Sequence, residues 1–102
     1  MNFIKVRNVK VLSFLKIEGI VIFPFILFAS GEPSKEIQNH ERIHCEQIKR
    51  DGLIIFYTRY VFEYFKSRKN GLSHDRAYKG ISYEKEAYLH QQNFLYQIAS
   101  SK

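Results

Sequence analysis

The chain of 102 residues has one cysteine, two prolines and no tryptophan. A single thiol excludes an internal disulfide, and Cys45 is expected to be a small packing residue rather than a metal ligand. Long apolar runs are also missing, since the most apolar stretch, residues 19–29, is too short to cross a bilayer. There is no internal repeat or low-complexity tract, so the length predicts one domain over residues 1–102.

Acidic residues are fewer than basic ones. Sixteen Lys and Arg against ten Asp and Glu give a net charge of +6. The cations are spread along the chain and no RNP, KH or zinc-finger signature accompanies them, so no specific nucleic-acid partner is expected. Such a charge suits a solvated surface and also peripheral contact with an anionic membrane. The apolar content of 45%, with 16% aromatic residues, is enough for a core.

The first 31 residues allow two interpretations. One is a secretory signal, with a basic start, the apolar residues 19–29 and the small residues Ala29, Ser30 and Gly31 at its end. The other is a strand pair or hairpin, with residues 21–28 as an edge strand in which Pro24 lacks only an unneeded N–H. The proline and the neighbouring Glu18 favour the strand. The first interpretation predicts an exported protein, the second a cytoplasmic or membrane-associated one.

Helical patterns occupy most of the remaining chain. Residues 34–50 have helical periodicity, and residues 53–65 predict a strongly apolar helix, taken as a core helix with one solvent-facing edge. Residues 72–80 are expected to be a loop or a short helical turn. Ser82 is predicted to cap a last helix that runs to about Ile98. The fold class predicted is therefore α+β and mainly helical, with the N-terminal strands packed on the first long helix.

The chemistry of the chain is concentrated in residues 40–44, which read His-Glu-Arg-Ile-His. On a helix His40 and His44 stand one turn apart on the same face, so both imidazoles can reach one Zn²⁺ ion, with Glu41 beside them. A chance HExxH in a chain of this composition has an expected count on the order of 0.01. Two histidines leave zinc short of ligands, so a third is expected elsewhere.

Helical phase orders the candidates for this third ligand. Beyond the motif they are His74, Asp75, Glu84, Glu86 and His90. In the last helix Glu84 falls within the apolar arc, whereas Glu86 falls on the polar face with His90. A carboxylate on an apolar face is costly unless it is paired or bound to a metal. Glu84 is therefore favoured as the ligand, with Glu86 the alternative.

These two segments together resemble the gluzincin class of zinc metallopeptidases. In that class the third ligand opens an E-x-x-[AS]-D motif on a second helix, and the matching stretch here runs from Glu84 through Ala87 to Tyr88. The resemblance implies a minimal zincin-like domain, zinc held by His40, His44 and Glu84, and an edge strand above the cleft, for which residues 21–28 are the candidate. Tyr88 departs from the motif, since the usual aspartate orients a ligand histidine.

The resemblance implies a hydrolase in which Glu41 takes a proton from the zinc-bound water that attacks a peptide carbonyl. The substrate would be a peptide or protein, which could pair with the edge strand. Tyr78, Tyr83, Tyr88 and His74 are candidates for the donor to the oxyanion. Two alternatives remain open at this point: a non-catalytic zinc-binding structural or interaction protein, and a basic membrane- or nucleic-acid-associated module in which the motif is accidental.

Overall fold

The structure is a computed structural model of the chain and describes residues 3–97. Over these residues the fold is α+β, as the sequence predicted. The elements follow in the order β1 (Ile4–Val6), α1 (Lys10–Phe14), β2 (Gly19–Ile22), β3 (Phe25–Phe28), α2 (Lys35–Asp51), α3 (Leu53–Lys69), α4 (His74–Lys79) and α5 (Ser82–His90).

The three strands form one mixed sheet in the order β1-β3-β2. β1 runs parallel to β3, with Ile4 opposite Phe25, and β2 runs antiparallel to β3, with Ile22 opposite the same residue. The predicted hairpin is confirmed as β2 and β3, but the prediction of one edge strand over residues 21–28 was wrong. Phe23 and Pro24 form the turn of a hairpin, a position where the missing N–H of proline costs no ladder bond. β3 is the central strand, so only β2 offers an outer edge on this side.

A tyrosine from α3 covers part of that outer edge. The Phe23 N–H donates to the Tyr57 hydroxyl at 2.8 Å, and this hydroxyl donates to the Val21 carbonyl at 3.0 Å. The expectation that an extended peptide pairs along residues 21–28 therefore needs correction. β3 is paired on both sides, and on β2 the Tyr57 hydroxyl already occupies the carbonyl of Val21.

The long helix α2 lies between the sheet and the other helices. The Ser34 side chain accepts a hydrogen bond from the Ile37 N–H at 3.1 Å, which caps the first turn. β2, α3 and α5 each pack against α2. Its polar residues are consequently buried as well as its apolar ones, among them Asn39, His40, Glu41, His44 and Gln47.

α2 and α3 are joined by Gly52 alone. This glycine has a φ of 89° and a ψ of 159°, a backbone conformation that residues other than glycine rarely adopt. α3 continues to Lys69, beyond the predicted end at Phe65. The interpretation of α3 as a core helix with one solvent-facing edge was also wrong. Phe56 is its only buried residue, and several large apolar side chains face outward, including Ile54, Phe62 and Phe65.

Ser82 does not cap the last helix, although the sequence predicted that it would. It is the first helical residue, and Ile81 takes the cap position. Its backbone N–H and its hydroxyl donate to the two oxygens of Glu63 at 2.7 and 2.9 Å. A carboxylate from α3 thus satisfies a free N–H at the start of α5, which a sequence motif could not reveal.

α5 also ends earlier than predicted. It stops at His90, and Ile98 lies outside the described residues. The side-chain amide of Asn39 donates to the carbonyls of His90, Gln91 and Asn93, at 3.4, 2.8 and 3.1 Å. These carbonyls are satisfied from α2, so the chain can leave the helix without losing hydrogen bonds.

The apolar core lies where α2 meets the hairpin, α3 and α5. Phe28, Ile48, Phe56 and Ile81 are almost wholly inaccessible there. Within residues 3–97, none of the helices has the length and apolar character needed to span a membrane.

The two faces of α3 can be compared by matched substitutions. Phe56→Ala should lower the free energy of unfolding by about 3–5 kcal/mol, because Phe56 is 2% exposed and packs on Tyr83. Phe62→Ala, at a residue that is 64% exposed on the same helix, should change it by less than about 0.5 kcal/mol. Urea unfolding followed by circular dichroism measures both. Equal effects would contradict the packing described.

Candidate metal centre

His40 and His44 lie on the same face of α2, as residues one helical turn apart must. Their ring centroids are 4.8 Å apart, and both side chains are buried. The two imidazoles therefore converge and do not splay. Helix geometry alone brings them together, so this part of the site is encoded locally.

Glu84 reaches this pair from α5. Its Oε1 lies 2.8 Å from Nε2 of His40, and its Oε2 lies 3.1 Å from Nε2 of His44. The three ligand atoms offered by these residues lie within 4.8 Å of one another, close enough to hold a metal ion. Glu86 lies outside this cluster, and its oxygens accept from the side chains of Gln47 and Tyr96.

Gln47 fixes the orientation of His44. The amide nitrogen of Gln47 donates to the Tyr83 carbonyl at 3.0 Å and to Glu86 at 2.8 Å, so its oxygen must face the other way. That oxygen accepts from Nδ1 of His44 at 2.7 Å. With the proton held at Nδ1, the lone pair of a neutral His44 is at Nε2, on the side of Glu84.

Gln91 plays the corresponding part for His40. Its Oε1 lies 2.9 Å from Nδ1 of His40, which leaves Nε2 facing Glu84. Tyr88 packs its ring on that of His40, with centroids 4.5 Å apart. Two glutamines therefore supply the hydrogen bonds to the Nδ1 atoms of the two histidines. The i, i+3 spacing from His44 could have suggested Gln47, but no local spacing points to Gln91.

Tyr60 adds a further partner that the sequence did not suggest. Its hydroxyl donates a short hydrogen bond to Oε2 of Glu84 from α3. Glu84 is only 1% exposed, so each of its oxygens is held by groups of the protein rather than by solvent. This contact joins α3 to the cluster formed by α2 and α5.

Glu41 is the least satisfied group of the site. It is 2% exposed, and its Oε1 has no hydrogen-bond partner among residues 3–97. β2 approaches closely here, since a Cβ at Gly19 would lie 3.1 Å from the Glu41 carboxylate. A buried polar atom without a partner is costly, so its presence calls for a ligand or a reaction that uses it.

The charges of the cluster shift its ionisation. Burial raises the pKa of Glu41 to about 7, an effect that the two histidines only partly offset. Burial alone would lower the pKa of His44, but the charge and hydrogen bond of Glu84, together with Glu41 and Gln47, outweigh it and raise this pKa to about 9. Burial likewise opposes ionisation of Glu84, yet His44 and His40 hold its pKa well below the usual range.

A divalent cation fits this charge distribution. Glu41 and Glu84 are both buried, and no Lys or Arg is buried among the described residues. The raised pKa of His44 keeps its imidazole protonated at neutral pH, so a metal ion must displace this proton. The two neutral imidazoles and two carboxylates would then carry two negative charges, which a divalent ion balances. Nε2 of His44 is also buried without a hydrogen bond of its own, despite its distance of 3.1 Å from Oε2.

The distances between the donor atoms agree with such an ion. Two atoms bound to one tetrahedral zinc at about 2.0–2.1 Å stand about 3.3 Å apart. The separations of 2.8 Å from Oε1 of Glu84 to His40 and 3.1 Å from Oε2 to His44 are within about half an ångström of that value, and the three ligand atoms all lie within 4.8 Å of one another. Two imidazole nitrogens and one carboxylate oxygen are also a ligand set that zinc takes.

Two openings lead to the cluster from different sides. The first is a small cavity of about 20 Å³ beside Glu41 and His40, bounded by Gly19, Tyr78 and Tyr88. It adjoins a wider groove of about 320 Å³, since Glu18, Tyr78 and Tyr88 line both. The small cavity has room for about one water molecule beside Glu41.

The second opening is apolar and lies between β2 and α3. This cavity of about 260 Å³ has His44 and Glu84 in its wall. Its other lining residues are apolar or aromatic, namely Ile20, Val21, Ile22, Phe56, Tyr57, Tyr60 and Val61. We call it the apolar cavity below.

The structure separates the four candidates for a donor to an oxyanion. Tyr78 and Tyr88 line the small cavity beside Glu41. Tyr83 lies in the core, where its hydroxyl donates to Asp51 at 2.7 Å. His74 is exposed and pairs with the Tyr64 hydroxyl at 2.9 Å.

The other candidates for the third ligand lie outside the cluster. Asp75 is exposed and pairs with Lys79 at 3.4 Å. His90 stacks its ring on Tyr96 with centroids 3.8 Å apart.

No family model, curated protein or solved structure matches the chain.

Two carboxylates on α5 provide a test of the metal centre. Glu84→Gln should lower zinc affinity at least about 100-fold, because loss of a ligand exceeds the roughly 10- to 100-fold effect of losing an outer partner. Glu86→Gln should change it only a few-fold, since the new amide oxygen can still accept from Gln47. Competition with a zinc-binding dye measures both affinities. A larger loss in Glu86→Gln would assign the ligand to that residue instead.

Proposed function

We propose that the protein is a zinc-dependent hydrolase that cleaves peptide bonds, with Glu41 as the catalytic base. The unpartnered, buried Oε1 of Glu41 is the observation that carries this proposal. An ion that only tied α2 to α5 would need His40, His44 and Glu84, but it would give no reason to bury a further carboxylate beside them. A carboxylate placed in this way is suited to accept a proton.

In this proposal His40, His44 and Glu84 hold the metal. When bound, zinc would lower the pKa of a water molecule toward neutrality and polarise a peptide carbonyl. Gln47 and Gln91 keep the Nε2 atoms of the two histidines turned toward Glu84, and Tyr60 donates a hydrogen bond to Oε2 of that carboxylate. These outer contacts limit the movement of the donor set.

The reaction proposed for the chain's own residues is a proton transfer through Glu41. The Glu41 carboxylate accepts a proton from the attacking water and returns it to the nitrogen of the leaving amine. Tyr78 stands across the small cavity, and burial together with the charge of Glu84 raises the pKa of its hydroxyl. The hydroxyl therefore stays protonated and can donate to the oxyanion that forms on the carbonyl.

The wider groove is the proposed binding site for the peptide. It continues the small cavity and runs between the segment that precedes β2 and the helices α4 and α5. Its walls carry charges of both signs, including Lys16, Glu18, Asp75 and Lys79. A polar peptide backbone suits such a groove better than it suits the apolar cavity.

Two other functions share part of this geometry. Two histidines and one carboxylate also bind Fe(II) in oxygenases, and complete burial of the ligands is common in structural zinc sites. The HExxH spacing together with Glu41 favours hydrolysis over both. Elemental analysis of the protein purified without chelators discriminates iron from zinc, with one zinc per chain expected.

Substitution of Glu41 separates catalysis from metal binding. Glu41→Gln should retain zinc and lower the rate of peptide cleavage by about 10²–10⁴-fold, because the amide cannot accept the proton. Glu36→Gln, an exposed residue in the first turn of the same helix, should leave the rate unchanged. Mass spectrometry of a digested peptide library gives both rates. If zinc-loaded wild type cleaves no peptide, a structural zinc site would replace the proposal.

Substitution of Tyr78 tests the proposed oxyanion donor. Tyr78→Phe should lower kcat by about 10²–10³-fold with little change in zinc affinity, because the reacting oxygen loses a donor while His40, His44 and Glu84 are unchanged. Tyr64→Phe removes a hydroxyl that pairs with exposed His74 and is the matched control. Unchanged kcat in Tyr78→Phe would shift the role to Tyr88, which lines the same cavity.

A further inference from the structure

The outward face of α3 is apolar, contrary to the usual arrangement of a surface helix. Ile54 is 82% exposed and Phe65 is 62% exposed, and Val61 and Phe62 are exposed beside them. Counted from Ile54 at 100° per residue, these side chains lie within one arc of about 100°. Isolated exposed apolar residues are ordinary, but a contiguous group of this kind marks a surface that binds something.

The hairpin extends this face. The Phe23 N–H is bonded to the Tyr57 hydroxyl, and Ile22 and Val61 line the same apolar cavity, so the hairpin turn lies next to α3. Ile22 and Phe23 are themselves exposed. We call Ile22, Phe23, Ile54, Val61, Phe62 and Phe65 together the hairpin–α3 face.

The charges beside this face are all positive. Lys66, Arg68 and Lys69 are exposed on α3, whereas Arg59 pairs with Glu63 at 4.0 Å and lies over the ring of Tyr83. The single acidic residue of α3, Glu63, lies about 180° from Ile54 and is bound to Ser82 of α5. The partner that complements this face is therefore apolar in part and carries negative charge.

We propose that the hairpin–α3 face docks the protein on the surface of an anionic lipid bilayer. The apolar side chains would enter the boundary between headgroups and acyl chains, and Lys66, Arg68 and Lys69 would lie near lipid phosphates. A second copy of the chain fits less well, because the face offers no acid to meet these cations and pairing two copies would bring like charges together.

Docking in this orientation would also place the mouth of the apolar cavity against the bilayer. Ile22 and Val61, which lie in its wall, belong to the face and are half exposed, so the cavity opens there. A cavity lined by apolar side chains would then meet the apolar part of the bilayer instead of water. The proposal does not depend on the metal, because no residue of the face belongs to the metal centre.

The test is co-sedimentation of the full chain with vesicles. The protein should bind vesicles of phosphatidylglycerol and phosphatidylcholine at least about tenfold more tightly than vesicles of phosphatidylcholine alone. Binding should weaken from 0.1 to 1 M salt, where the screening length falls from about 10 to about 3 Å. Equal binding to both vesicle types, or none, would overturn the proposal.

Paired variants locate the binding surface. Ile54→Ser with Phe65→Ser, and separately Lys66→Glu with Lys69→Glu, should each lower vesicle affinity at least about tenfold. The controls are Leu89→Ser with Leu95→Ser, which are equally exposed but lie outside the face, and Lys35→Glu with Lys85→Glu, which change the net charge equally. Circular dichroism must show that each variant is folded.

Three outcomes with folded variants would reject the docking surface. Equal losses in the charge variant and its control would indicate adsorption by net charge alone. No loss in the serine variant of the face would exclude insertion of its apolar side chains. Sedimentation equilibrium that gives a dimer in wild type and a monomer in that variant would assign the face to a second copy.

Discussion

The rest of the site depends on one carboxylate, that of Glu84, which is shared by two imidazoles. It joins α5 to α2 by contacts of 2.8 and 3.1 Å, and Tyr60 fastens the same group to α3. The helices α2, α3 and α5 thus meet at one buried charge. Such a charge is costly in an apolar interior unless its partners are placed well, and the two glutamines behind the histidines place them.

What the sequence predicted follows from local geometry. His40 and His44 face the same way because residues four apart on a helix must, and the phase of α5 put Glu84 rather than Glu86 on its apolar side. Gln91 and Tyr60 could not be found in this way, because their positions depend on how α2, α3 and α5 pack. The early end of α5 also depends on packing. Asn39 on α2 donates hydrogen bonds to carbonyls that would accept from the next turn if α5 continued.

The sequence prediction that α3 is a core helix failed because overall hydrophobicity does not show which face of a helix each residue occupies. Its inward side carries Phe56 with the hydroxyl-bearing Tyr57, Tyr60 and Tyr64, whereas Ile54, Phe62 and Phe65 point outward. A strongly apolar segment is normally assigned to the core. Here the inward tyrosines supply hydroxyls to β2, to Glu84 and to His74, so the hydroxyl groups of the helix face other elements of the protein.

The inward tyrosines and outward apolar residues of α3 have a physical basis in the small size of the chain. A domain near one hundred residues has limited apolar area to bury, yet this one must also enclose two carboxylates. Tyrosine meets both needs, because its ring covers a large area and its hydroxyl can satisfy a buried acceptor. Tyr60 does this for Glu84 while its ring packs on Phe56. With tyrosines facing the site, the purely apolar residues of α3 are left for the outer surface, so the enclosed charges and the exposed apolar face follow from the same helix.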